Sequence, residues 1–152
     1  MAGKRCQQRI EATYSLPRES RRLFIRDRKS NVSFLVDTGS DVSLLPANNY
    51  QKRNTPQQTL FAANSSTINV YGQLTLSLDF HLRRQFTWTF LVANVSTPIL
   101  GADFLHYFEL VPDLRHKCLR DLKTNFQSPS LTKVTDLHSV KIILSDTIFH
   151  NL

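Results

Sequence analysis

The sequence predicts an all-β fold with a single short helix, and three observations carry that prediction. Leu74, Leu76, Leu78 and Phe80 alternate with Thr75, Ser77 and Asp79, and Phe86, Trp88, Phe90 and Val92 alternate in the same way; this is the period-two pattern of strands with one buried face. Short extended arms flank clusters of turn formers at Asp27–Asn31 and Asn64–Ser66, the signature of hairpins. Helical spacing is confined to Phe104, Leu105, Tyr107 and Phe108, before Leu110-Val111-Pro112-Asp113 stops it.

Taken in order, residues 1–20 show no periodicity and read as a linker. Structure starts at residue 21: Leu23 to Arg26 form a strand, Asp27 to Asn31 a polar turn, and Val32 to Val36 the returning strand. Asn48 to Gln58 is polar, with Pro46 and Pro56 as punctuation, and reads as a surface loop. Thr59 to Ala63, the tip Asn64-Ser65-Ser66 and Thr67 to Gly72 form the second hairpin, in which Asn suits the left-handed geometry of the turn. The two alternating strands follow, joined by a turn over His81 to Gln85. After the Asn94–Pro98 loop, Ile99-Leu100 runs into Gly101 and the short helix, and a last strand is expected near Lys117 to Leu119. The domain is thus expected over residues 21–121, with a polar linker over 122–152.

With 152 residues, the chain has room for one ordinary domain and its tails. A hydrophobic fraction of 41% with ten Phe is ample for a core, and no apolar run approaches the roughly 18 residues that span a bilayer. Residues 1–20 lack an apolar segment of the secretory kind, so a soluble, cytoplasmic protein is expected. Cys6 and Cys118 have no metal-ligand companions, and the five His form no paired pattern, so neither a metal nor a cofactor is expected. The net charge of +7 would suit a polyanion, but the basic residues are scattered without interleaved aromatics, and nucleic acid is not the expected partner.

The chemistry concentrates in Phe34 to Pro46, reading FLVDTGSDVSLLP. A short apolar run bounded by a turn reads as a strand buried on both faces, which places Asp37 where that strand leaves the core. An ionised group is costly to bury without partners, so an acid at this point of the pattern is a candidate functional group.

The order of the segments resembles the retropepsins, the aspartic proteases of retroviruses and LTR retrotransposons. FLVDTGSDVSLLP, AANSSTINVYG and ILGADFL, with VPDLRHKCL following, look most like the protease of gypsy-type elements. The resemblance covers residues 21–121, and the tail looks similar to a linker toward an absent reverse transcriptase. It implies a closed barrel with a flap hairpin, half of a homodimer, because pepsin-like single chains carry two D-T-G lobes and this chain has one. It implies that Asp37 meets its copy across the axis, that Thr38 fixes the two loops and that Gly39 permits close approach. Ser40 would donate to Asp37, and Asp41 would bind substrate backbone. Ala63, Asn64 and Ser65 would form the flap tip, while Ile68 and Ile99 would line an apolar pocket, although core packing accounts for either. The implied substrate is a polyprotein with apolar residues at the scissile bond. A catalytically decayed or host-adopted dimerisation module stands as the alternative.

Two departures from the family pattern are visible. Many retroviral members have Arg where this chain has Ala102, and glycine at the flap tip where it has Asn64-Ser65-Ser66.

Overall fold

A computed structural model describes residues 21–131; the linker expected over 1–20, residues 132–152 of the linker expected over 122–152, and Cys6 lie outside the described residues. Among the described residues, ten strands and two short helices follow in the order β1 (Leu23–Arg26), β2 (Ser33–Val36), β3 (Leu44–Pro46), α1 (Asn49–Lys52), β4 (Gln58–Phe61), β5 (Thr67–Leu78), β6 (Phe86–Ala93), β7 (Ile99–Leu100), α2 (Ala102–Tyr107), β8 (Leu110–Asp113), β9 (Cys118–Asp121) and β10 (Gln127–Pro129). The mostly-β class is as expected. Among the described residues no helix is long and apolar enough to cross a membrane.

Seven strands form one mixed sheet in the order β1-β2-β7-β3-β6-β5-β4, and β10-β9-β8 form a second. The larger ladder is linear, running from β1 to β4 without a pairing that joins the two, in place of the closed barrel the resemblance implies. Both predicted hairpins are present: β1 pairs with β2, and β4 pairs with β5 about the 62–66 tip. The hairpin strand and the alternating strand after it are one continuous β5, whose register against β6 shifts between Val70 and Gly72. A bulge of this kind bends and twists a strand, so the hairpin arm departs from the body of the sheet at Tyr71.

The alternation read from the sequence sorts side chains as expected. Leu78, Phe80, Phe86 and Phe90 are buried, and Thr75, Ser77 and Thr87 are exposed. Phe34, Phe80, Phe86, Phe90 and Phe104 are fully buried and meet edge-on or tilted at ring separations of 5.7 to 6.3 Å, a geometry favoured by the ring quadrupole. A second, smaller apolar cluster gathers Leu44, Val70 and Ala93, with half-buried Val42, Leu60, Ile68, Leu91, Val95 and Ile99 around them.

Four expectations need correction. The 48–58 loop contains a helical turn, α1, closed by a capping box in which Asn48 Oδ1 accepts from Gln51 N at 2.8 Å and Gln51 Oε1 from Asn48 N at 2.9 Å. The segment taken as a stop after α2 is itself a strand, β8; it is an outer strand of its sheet, where proline removes no ladder bond that the sheet needs. The fold also continues past residue 121: β10 pairs with β9, and Leu131 N donates to Phe24 O at 3.0 Å. Finally, β2 is not buried on both faces along its length. Phe34 is buried, whereas Leu35 and Val36 are half-buried, because the strand runs outward to the surface on which Asp37 lies.

Candidate active site

Strands β2 and β3 are joined by residues 37–43, yet they are not neighbours: β7 lies between them, parallel to β2 and antiparallel to β3. The connecting loop must therefore arch over the end of β7 and the start of α2. Its entry is fixed by Asp37 N donating to Leu100 O at 3.0 Å, and its descent by Ala102 N donating to Ser40 O at 2.7 Å and Asp103 N to Asp41 O at 3.3 Å. Gly101 makes this approach feasible. A Cβ built there would lie 2.5 Å from Val42 O and 2.8 Å from Ser40 O, so the backbones pass at a distance that no side chain tolerates.

A polar cluster beneath the arch holds it in place. Ser43, buried at 1% exposure, donates from Oγ to Asp103 Oδ1 at 2.7 Å and from its N–H to Asp103 Oδ2 at 3.1 Å. The same hydroxyl accepts from Gly101 N at 2.8 Å. Three segments are thereby pinned at one point: the end of the arch, the glycine turn and the first turn of α2. Sequence reasoning missed Ser43 and Asp103 as supports. The signal was present, since a hydroxyl inside the apolar run VSLLP needs a buried partner.

At the crown, Asp37 is half-buried and Thr38 and Gly39 are exposed. Asp37 Oδ1 accepts from Gly39 N at 3.0 Å, and Ser40 N donates to Asp37 O at 3.2 Å. The turn thus folds back on its own acid and presents one carboxylate oxygen with a backbone donor already attached. Ser40 does not donate to Asp37 as expected: its Oγ donates to Val42 O at 2.7 Å, because that carbonyl lies within reach inside the arch. Asp41 is exposed.

The remaining candidates divide into two groups. Ala63, Asn64 and Ser65 are exposed at the tip of the β4–β5 hairpin, and the tip is built differently from the expectation. Ser65 takes the left-handed conformation (φ 65°), while Asn64 Oδ1 accepts from Ser66 N at 3.1 Å and Ser66 Oγ at 2.6 Å. Ile68 and Ile99 are half-buried in the smaller apolar cluster with Val42. The fold therefore brings the base of the hairpin and the strand beneath the arch together around one apolar cluster, with Ile68 and Ile99 in shared surroundings.

The fold is that of retropepsin-like proteases. The retroviral protease-like domain of Ddi1 from Leishmania major superposes with a TM-score of 0.54 at 17% identity, covering 74% of this chain and 94% of that domain. A retropepsin-like aspartic protease from Rickettsia conorii (TM-score 0.45, 22% identity, 60% of this chain and 84% of that one) and EIAV protease complexed with the inhibitor HBY-793 (0.43, 19%, 63% and 93%) are also similar. No protein-family model matches the sequence, and no curated protein matches it.

Proposed function

We propose that this chain is an aspartic endopeptidase that acts as a homodimer, with Asp37 and its copy sharing one proton. The observation that carries the reading is the Asp37 carboxylate, set at the crown of an arch with Gly39 N bound to one oxygen and locked from below by Gly101 and Ser43. Exposed Thr38 and Gly39 beside it suit a surface that meets its own copy, because a two-fold axis places identical residues opposite one another. The likeness to the Ddi1 domain supports the fold that such an arrangement needs.

The chemistry follows from two carboxylates held together. At about 3 Å apart they cannot both ionise and keep one proton between them, as aspartic proteases do, so the pair titrates as a unit. The ionised member takes a proton from a bound water as the water oxygen attacks the peptide carbonyl carbon. The protonated member hydrogen-bonds the carbonyl oxygen, and the leaving nitrogen is protonated as the C–N bond breaks. An extended peptide would add as a strand beneath the hairpin, with Ala63, Asn64 and Ser65 over it, Asp41 at its backbone, and Ile68 and Ile99 against apolar side chains near the scissile bond. We take the substrate to be a polyprotein of the gypsy-type LTR retrotransposon kind. No metal or cofactor enters the reaction.

Asp37→Asn tests the reading. The variant should melt like the wild type and dimerise but cut no apolar peptide, while wild-type activity falls with the square of chain concentration on dilution. Cleavage that survives the substitution overturns the proposal. A wild-type dimer that cuts nothing would leave the alternative, a dimerisation module on the same fold.

A further inference from the structure

Two basic stretches distant in sequence, Arg26–Lys29 and His81–Arg84, are brought together by two turns. Asp27, 1% exposed, is their hub. Its carboxylate accepts from Ser30 Oγ at 2.6 Å and Ser30 N at 3.1 Å within its own turn, and from Asp79 N at 2.8 Å in the other. Arg28 N donates back to Asp79 O at 2.8 Å. Between these stapled turns lies a cavity of about 460 Å³ lined by Arg28, Asp79, His81, Arg83, Arg84 and Gln85. Two of its lining residues, His81 and Arg83, hold left-handed backbone angles (φ 63° and 58°) that non-glycine residues seldom adopt, and such conformations gather at binding and switch sites.

The charges of this cavity are unevenly matched. Arg84 is committed to Asp121, with Nε 2.7 Å from Oδ2. Asp79 Oδ1 accepts from His81 N at 3.0 Å. Arg83 lies over the Phe126 ring at 4.4 Å, which orients its guanidinium without neutralising it. Among the described residues neither Arg28 nor Arg83 has a carboxylate partner. The Arg28 and Arg83 guanidinium groups, with Gln85 and His81 also lining the cavity, supply the donors that the oxygens of a tetrahedral oxyanion accept from.

We propose that this cavity binds a phosphate group, carried by a small phosphorylated compound or by the phosphodiester backbone of a nucleic acid. The volume exceeds what one phosphate fills and leaves room for the organic part of either. This role is independent of Asp37 and of any proteolysis, and no atom of the arch takes part.

Calorimetric titration of the full chain with inorganic phosphate, and separately with a short single-stranded oligonucleotide, tests it. Arg28→Gln and Arg83→Gln should each weaken binding roughly tenfold, the loss expected for one charge-assisted contact. Arg53→Gln, an exposed arginine outside the cavity, should not, and all three variants should melt like the wild type. Saturable phosphate binding identifies a small ligand. Oligonucleotide binding alone, with a salt slope that drops by about one per arginine removed, identifies a polymer. The proposal is overturned if neither probe binds, or if Arg53→Gln weakens binding as much as the cavity variants do.

Discussion

Replacing Gly101 by alanine isolates the support of the arch from its chemistry. Gly101 has φ −90° and ψ −176°, a conformation that any residue adopts, so the glycine is not needed for its backbone freedom. On that count alone, alanine would stabilise by about 0.4–1 kcal/mol, through reduced entropy of the unfolded chain. The steric term has the opposite sign. The new methyl would lie 2.5 Å from Val42 O and 2.6 Å from its carbonyl carbon, where ordinary contact begins at 3.4 Å, and those are main-chain atoms that cannot rotate away. Overpacking of this kind costs about 1–3 kcal/mol. The retreating arch also stretches the bonds from Ala102 N to Ser40 O and from Asp103 N to Asp41 O, each worth about 1 kcal/mol. The steric and hydrogen-bond losses outweigh the entropic gain by about 2–4 kcal/mol, which for a domain of this size lowers Tm by about 10–20 °C. Circular dichroism melts measure the stability change. Peptide cleavage below Tm should show kcat falling and KM rising together, because Asp37 shares the arch with Asp41 and with Val42 of the apolar cluster. An alanine variant with wild-type Tm and kcat would refute the claim that close passage at Gly101 positions Asp37.

Two more substitutions test other supports. Ser43→Ala leaves Gly101 N without its acceptor and removes the hydroxyl donor to Asp103, while the backbone N–H donor stays, and denaturant titration should show a loss of about 1–3 kcal/mol; an unchanged midpoint would mean that the cluster is incidental. Arg84→Met strips the partner from Asp121, whose side chain is fully buried, and should cost about 3–5 kcal/mol. Arg84 also donates to Phe108 O and lies over the Phe86 ring, so Arg84→Lys should restore only part of the loss. The same pair sets an acid limit. Burial raises the pKa of Asp121, but the Arg84 guanidinium, the Lys123 N–H and Thr124 outweigh it and hold the carboxyl below its ordinary 3.8. The folded chain therefore binds fewer protons than the unfolded one in acid: this stability is complete above about pH 4 and is lost as pH falls below it. Urea melts of wild type and Asp121→Asn between pH 7 and 3 should converge at the acid end; a constant difference across that range would count against the assignment.

What the sequence discloses depends on where the determining interactions lie. Period-two alternation announced β5 and β6, because burial on one face is written residue by residue. Turn residues announced both hairpins, D-T-G announced the acid at the exit of β2, and ILGADFL announced the glycine turn and the helix after it. Pairing to a distant partner left weaker traces. The segment Gln127–Pro129 has no apolar rhythm and is a strand only because β9 offers it a ladder, and Pro112 reads as a terminator unless its strand is known to be an outer one. The α1 turn was written in the capping residues Asn48 and Gln51 but was masked by the polarity around them. Whether the Ser40 hydroxyl would choose Asp37 or Val42 O depended on the curvature of a loop fixed by Gly101, sixty residues away.

The bond from Leu131 N to Phe24 O, with Ser130 Oγ accepting from Phe24 N at 2.9 Å, has a topological consequence. It seats the last described residues along the free side of the first strand, so the polypeptide enters and leaves the domain at nearly the same spot. Domains whose termini adjoin tolerate being spliced into a host chain or permuted, since the host need only open a gap a few ångströms wide. The clasp also covers backbone groups on the outer side of β1 that a stray strand could otherwise recruit.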